Sequence, residues 1–218
     1  MDWTPIWISL EAAFAATLIC LVIALPLARW SARRRESWAA WLDTLILLPI
    51  ALPPTVVGLA LLVVFGRHSP IGAAMEQLGI FILFTWPAVV LAATVMSFPI
   101  LYQSIRAAFV QIDPDLLDAA RLLGYGETRI LCQLMIPLAW PGLAAGVGLG
   151  FLRALGEFGA TLMLAGNIPG RTQTVPLAIY AAVESGETPQ AWFLAAFVLV
   201  IAIAALTALQ AMNRRFAS

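Results

Sequence analysis

Apolar residues in this chain come in long unbroken blocks and not in amphipathic stripes. Stretches 44–66, 77–105, 130–152 and 188–213 contain no Asp, Glu, Lys or Arg. A bilayer core of about 30 Å needs about 20 helical residues at 1.5 Å each, because backbone groups cannot be left unpaired in hydrocarbon. Each block is long enough. A further block, 6–28, is interrupted only by Glu11, near enough to its end for the carboxyl to reach the interface. The pattern predicts an all-α polytopic membrane protein with five transmembrane helices, over approximately 6–28, 44–66, 80–105, 138–165 and 190–212. They form a single transmembrane domain over 1–218, with a loop at 106–137. Residues 1–5 carry neither a basic region nor a small-residue cleavage site, so 6–28 is read as an anchor.

Composition agrees. Of 218 residues, 62% are hydrophobic and 11% charged, against about 45–50% and 25% in an ordinary soluble domain. Twelve basic and twelve acidic residues cancel, so no global field draws nucleic acid. Two cysteines, Cys20 and Cys132, make neither a disulfide framework nor a metal pattern, and no cofactor is expected.

The placement of charge orients the chain. All twelve basic residues are arginines. Arg29, Arg33, Arg34 and Arg35 follow the first block, Arg106, Arg121 and Arg129 the third, and Arg214 and Arg215 the last. Only Arg67 and Arg171 fall on the other side, while Arg153 lies within the fourth region. The positive-inside rule puts the arginine-rich side in the cytoplasm, the N-terminus outside and the C-terminus inside. Trp3, Trp7, Trp30, Trp38, Trp41, Trp140 and Trp192 fall near the ends of blocks, where indole prefers the headgroup layer.

Three stretches could carry function. In 106–137, Asp113 is a good N-cap, Pro114 suits the first helical position and Asp115 favours the positive end of the dipole. Leu116, Leu117, Ala119, Ala120 and Leu123 then form a compact apolar surface, Gly124 and Gly126 supply a turn, and a second helix from Glu127 ends at Pro137. The short exposed helix either packs on its own spans or fits a groove in a cytoplasmic partner. In the second block, Pro49, Pro53 and Pro54 remove amide donors and force a kink, tolerated in a membrane where backbone is buried in protein or lines a watery path. We read Pro53, Pro54, Thr55 and Gly58 as lining a pathway or gate. The fourth region holds Arg153, Glu157 and Thr161 among many glycines, so a long or broken helix is expected there. Arg153 and Glu157 share one helix face and must avoid lipid; they form a structural ion pair or lie along a route. The glycines at 142, 146 and 150 are spaced for close helix packing.

The run Asp118-Ala119-Ala120, then Gly124, then Ile136-Pro137-Leu138 resembles the cytoplasmic EAA loop of ABC-importer permeases, with Asp118 in place of the usual Glu. The runs 52–58 and 156–161, with 166–170, resemble the molybdate importer permeases, and related sulfate and tungstate permeases share parts of them. The resemblance implies a type I ABC importer permease fold in a bacterial inner membrane, in which Asp118, Ala119, Ala120, Gly124, Ile136 and Pro137 couple to an ATPase. It further implies two ATPase subunits, a second copy of this chain and a periplasmic molybdate-binding protein, with membrane lipid around them. The outer segment 165–190, holding Arg171, Glu184 and Glu187, suits contact with a soluble binding protein or simply connects two spans.

The chain has no GxxxxGK[ST] loop, so ATP hydrolysis is expected from a partner subunit, and not from this chain acting as an enzyme. An intramembrane hydrolase needs a nucleophile with a base or a metal pair; the sole histidine, His68, sits in a turn-like outer loop, with no HExxH or GxSxG in the chain. A purely structural membrane protein would not need the EAA-like loop.

Overall fold

The computed structural model describes residues 2–33 and 37–216, with side chains described outside 34–39 and 213–218. Arg34 and Arg35 of the basic cluster therefore lie outside the described residues, as do the side chains of Trp38, Arg214 and Arg215. Every regular element among the described residues is a helix, and no strand is found among them.

Helix α1 (Thr4–Ala32) starts where Asp2 Oδ1 accepts the Thr4 amide at 2.9 Å, with proline in the first turn. It is followed by α2 (Ser37–Ala51), α3 (Pro54–Phe65) and a short outer helix α4 (Pro70–Gln77), capped by Ser69, whose Oγ accepts the Gly72 amide at 2.8 Å. Helix α5 (Trp86–Val110) is the centre of the bundle. Helix α6 (Pro114–Leu122) follows, then α7 (Glu127–Ile130), a π-helical turn over Leu131–Met135 and α8 (Ile136–Leu138). Helices α9 (Trp140–Leu155), α10 (Gly159–Ala165), α11 (Val175–Glu184) and α12 (Thr188–Phe216) complete the chain. Helices α1, α5 and α12 are each long and apolar enough to cross a bilayer; counting the bent pairs Ala40–Ala51 with Pro54–Phe65 and Glu127–Leu138 with Trp140–Leu155 as one span each gives five.

Small residues let the central helices approach closely. Ala12, Ala13 and Ala16 of α1 and Ala88, Ala92 and Ala93 of α5 are almost completely buried in one cluster. The glycine row of α9 packs on α5: a Cβ at Gly142 would meet Ala108, at Gly146 Ser104, and at Gly150 Leu101. In hydrocarbon, where lipid is as apolar as leucine, such backbone proximity and dispersion contact hold helices together. Cys20 is buried on α1, its Sγ 3.5 Å from the Thr94 carbonyl of α5, whereas Cys132 is exposed on the π-helical turn.

Two breaks are sharper than the expected kinks. The chain turns by 113° between α2 and α3, because Pro53 is forced to an extended ψ of 135° by the proline that follows it. Helix α3 then packs on α10 instead of continuing α2. Pro137 does not end the second helix of the arginine-rich loop. The π-helical turn before it widens the spiral, which relieves the clash a proline makes with the preceding turn, and the helix runs to Leu138. The 79° bend comes at Ala139, before Trp140-Pro141.

Candidate functional site

Helix α6 is built as its sequence dictates. Asp113 Oδ1 accepts the Asp115 amide at 2.9 Å and Pro114 fills the first turn. At the other end Gly124 adopts φ +82°, its amide bonds the Arg121 carbonyl at 2.9 Å, and the Tyr125 amide reaches back to the Ala120 carbonyl at 3.1 Å. This left-handed C-cap satisfies carbonyls that the last turn leaves open. Gly126, by contrast, is extended at φ −68° and opens α7. The expected apolar surface is split between two faces. Leu117 and Ala120 are buried with Ile130 and Met135, and Ile136 packs on that cluster. Leu116, Ala119, Leu122 and Leu123 point outward, Leu122 at 90% exposure and Leu123 at 77%. Ala119 is thus exposed while Ala120 is buried, and Pro137 is exposed beyond the cluster.

A chain of ion pairs fixes α6 to the end of α1. Asp118 pairs with Arg121 Nη1; Arg121 Nε donates to Glu127 Oε1 at 2.8 Å; and Glu127 Oε2 takes Arg33 Nη1 at 2.9 Å and also Arg29 Nη2. The guanidiniums of Arg121 and Arg33 hold the Glu127 carboxyl down to about 2. Arg129 lies over the Tyr125 ring, 4.2 Å from its centroid, and its Nε donates to Gln133 at 2.8 Å. The arginines that orient the chain are thus also the fasteners of its exposed helix.

The two proline- and glycine-containing stretches meet. A Cβ on Gly58 of α3 would lie 2.8 Å from Ala160 Cα and from Met163 Cβ of α10, so only a hydrogen permits this crossing. A Cβ on Gly159 would stand 3.0 Å from Pro54 and 3.3 Å from the Thr55 amide nitrogen. Pro53, Pro54 and Thr55 themselves are exposed. At the neighbouring break between α9 and α10, Arg153 Nη1 approaches Glu157 Oε2 at 2.7 Å, and Glu157 Oε1 accepts the Ala160 amide at 2.8 Å. Glu157 is 2% exposed while Arg153 keeps 27% of its side chain open. The capping bond satisfies Glu157 Oε1, whereas buried Oε2 has the charge contact with Arg153 but no hydrogen bond, and the buried Thr161 Oγ1 has no partner either. Backbone breaks beside two packed helices, with the partly exposed Arg153 next to them, form an irregular polar zone inside an apolar bundle.

Sequence reasoning missed one cluster. Asp43 of α2 accepts from Ser31 Oγ at 3.1 Å and from the Tyr102 hydroxyl, and Arg106 joins it, with Nη2 3.1 Å from Asp43 Oδ2 and Nε donating to Ser31 Oγ at 2.9 Å. Ser31 and Tyr102 are buried, so α1, α2 and α5 are pinned by a satisfied polar knot. Its signal was available: Asp43 and Arg106 each directly border a charge-free block.

The fold is shared with solved ABC transporters. The chain superposes on one from the inward-facing MetNI methionine ABC transporter with a TM-score of 0.72 at 17% identity, covering 97% of this chain and 94% of that one. On one from a bacterial alginate ABC transporter the TM-score is 0.75 at 16% identity, covering 98% and 78%. In sequence the chain is 43% identical over 211 residues to the permease protein YvgM of Bacillus subtilis (strain 168), covering 95% of this chain and 92% of that one. It is 40% identical over 204 residues to the molybdenum transport system permease protein ModB of Escherichia coli (strain K12), covering 93% and 88%. To ModB of Azotobacter vinelandii it is 38% identical over 216 residues, covering 99% and 95%. Residues 7–218 match the family described as binding-protein-dependent transport system inner membrane component, and with the bundle, its broken helices and these relatives in agreement, the chain belongs to that family of multi-pass inner-membrane transport subunits.

Proposed function

We propose that the chain is the permease subunit of an ATP-driven importer that carries molybdate across the bacterial inner membrane by alternating access. Two copies line a central path, two ATPase subunits supply the work from the cytoplasm, and a periplasmic binding protein delivers the oxyanion. One observation carries the reading: α6 presents Leu122 and Leu123 outward while Glu127 and Arg121 fasten it to α1. A helix that is exposed on one side and clamped on the other suits a docking element that passes force inward. Asp118, Ala119, Ala120, Gly124, Ile136 and Pro137 form or brace this element. The relatives named as molybdenum transport permeases support the choice of cargo.

In this reading, closure of the ATPase dimer on ATP displaces α6, and the Glu127 clamp pulls the end of α1 with it. The bundle yields at the breaks between α2 and α3 and between α9 and α10. Pro53, Pro54, Thr55 and Gly58 border the route on one side, and Arg153, Glu157 and Thr161 on the other. Arg153 offers positive charge to a passing dianion, while Glu157 is kept from repelling it by its own pair and by capping α10. Specificity resides mainly in the binding protein, as the donors that converge between the spans, Ser31, Tyr102 and Arg106, are already taken up by Asp43.

The test is uptake of molybdate, tungstate and sulfate by proteoliposomes holding the permease and ATPase, with the cognate binding protein or one exchanged for it. Cargo preference should follow the binding protein. Uptake without any ATPase would overturn the mechanism, and a preference that stays with the permease would overturn the placing of specificity.

A further inference from the structure

A cavity of about 450 Å³ lies beneath α6, between it, the end of α1 and the end of α5. Its walls carry three guanidiniums, Arg33, Arg106 and Arg121, each with about one third of its side chain exposed. Asp118 is the one carboxylate among the lining residues, and it is already bonded to Arg121. The counter-ions Glu127 and Asp43 hold these arginines without lining the cavity. The floor is apolar: Phe109, Leu117 and Met135 are buried there, and Val110, 55% exposed, stands at the rim.

From this pairing of a basic wall with an apolar floor, we infer that the cavity seats the phosphate of an anionic phospholipid from the cytoplasmic leaflet, with part of the lipid's apolar body on Phe109 and Val110. The location fits. The cavity is lined by the C-terminal ends of α1 and α5 on the arginine-rich side, where basic pockets between helices take anionic headgroups. Guanidinium N–H groups suit phosphate oxygens, and Glu127 and Asp43 hold Arg33, Arg121 and Arg106 in position without lining the cavity themselves. A free oxyanion shares the charge chemistry but leaves the apolar floor unused. A seated lipid lies under α6 and supports it from the membrane side. This inference does not depend on the identity of the cargo.

The test uses the permease co-purified with its ATPase, equilibrated in neutral detergent with equal amounts of phosphatidylglycerol and phosphatidylcholine, then repurified for mass spectrometry of retained lipid. Phosphatidylglycerol should be retained in clear excess. Val110→Glu adds a negative charge at the rim without removing an ion pair, and should lower that excess by about fivefold, the effect of one interfacial charge. Arg106→Lys, which keeps the charge but not the guanidinium fork, should keep more of the excess than Arg106→Gln. Retention in the bulk ratio, or Val110→Glu without effect in a complex that still holds its ATPase, would overturn the proposal. If Val110→Glu fails to assemble, equal retention by the two Arg106 variants would do so. Complete displacement of phosphatidylglycerol by millimolar inorganic phosphate would assign the cavity to a free anion and overturn the lipid.

Discussion

Gly124 has open space around its α-carbon, yet its φ of +82° makes any side chain costly. For an L-residue the left-handed region costs about 1–2 kcal/mol, most for β-branched side chains. Gly124→Val should therefore unwind the cap of α6, abolish transport and ATPase co-purification, and leave membrane insertion intact; unchanged co-purification would sink the docking assignment. Glu127 tests the clamp. Each exposed ion pair contributes about 0.2–1 kcal/mol, and Glu127→Gln weakens three at once, so substrate carried per ATP should fall about threefold to tenfold in reconstituted transport. The pH dependence follows from its lowered pKa. With the folded value near 2 against the ordinary 4.5, the clamp's contribution is full above about pH 4.5 and is lost as pH falls through 2. The mobility of a spin label on α6 should rise only across that acid window in the native chain, and the Glu127→Gln variant should show no such transition.

Among the elements, the α3–α10 crossing depends most closely on side-chain size. Leucine at Gly58 would have to displace the Ala160 backbone, and overpacking of this kind costs about 1–3 kcal/mol. Gly58→Leu should lower the melting temperature by several degrees and reduce uptake, whereas Gly126→Ala, with a negative φ and nothing within 4 Å, should do neither. What was legible from sequence divides along the same line. Charge-free blocks identify spans, and Asp113, Pro114 and Gly124 mark the ends of α6, because these signals are local. The 113° turn after α2, the π-helical turn before Pro137 and the meeting of Gly58 with Ala160 are tertiary outcomes. A proline says that a helix must change, but its neighbours decide by how much. The Asp43–Arg106 knot stayed hidden because two charges at the borders of separate blocks look like ordinary interfacial residues until the helices are side by side.

For the whole molecule, α12 leaves much of its length exposed, including Trp192, Leu199, Val200 and Ile203, a surface matched to lipid or to a second copy. A purified transporter should contain two permease chains and two ATPases by native mass spectrometry; one permease per complex would refute the shared path. The small-residue row of α9 is consumed inside the chain against α5, so substitutions there should destabilise the protomer before they affect assembly.

The two thiols differ in a way that an experimenter can use. Cys20 is sealed between α1 and α5, whereas Cys132 stands open on the π-helical turn, next to the elements through which force is proposed to pass. A maleimide fluorophore added to the unmutated protein should therefore report from one site, giving the native chain a built-in vantage point for watching the turnover cycle in real time.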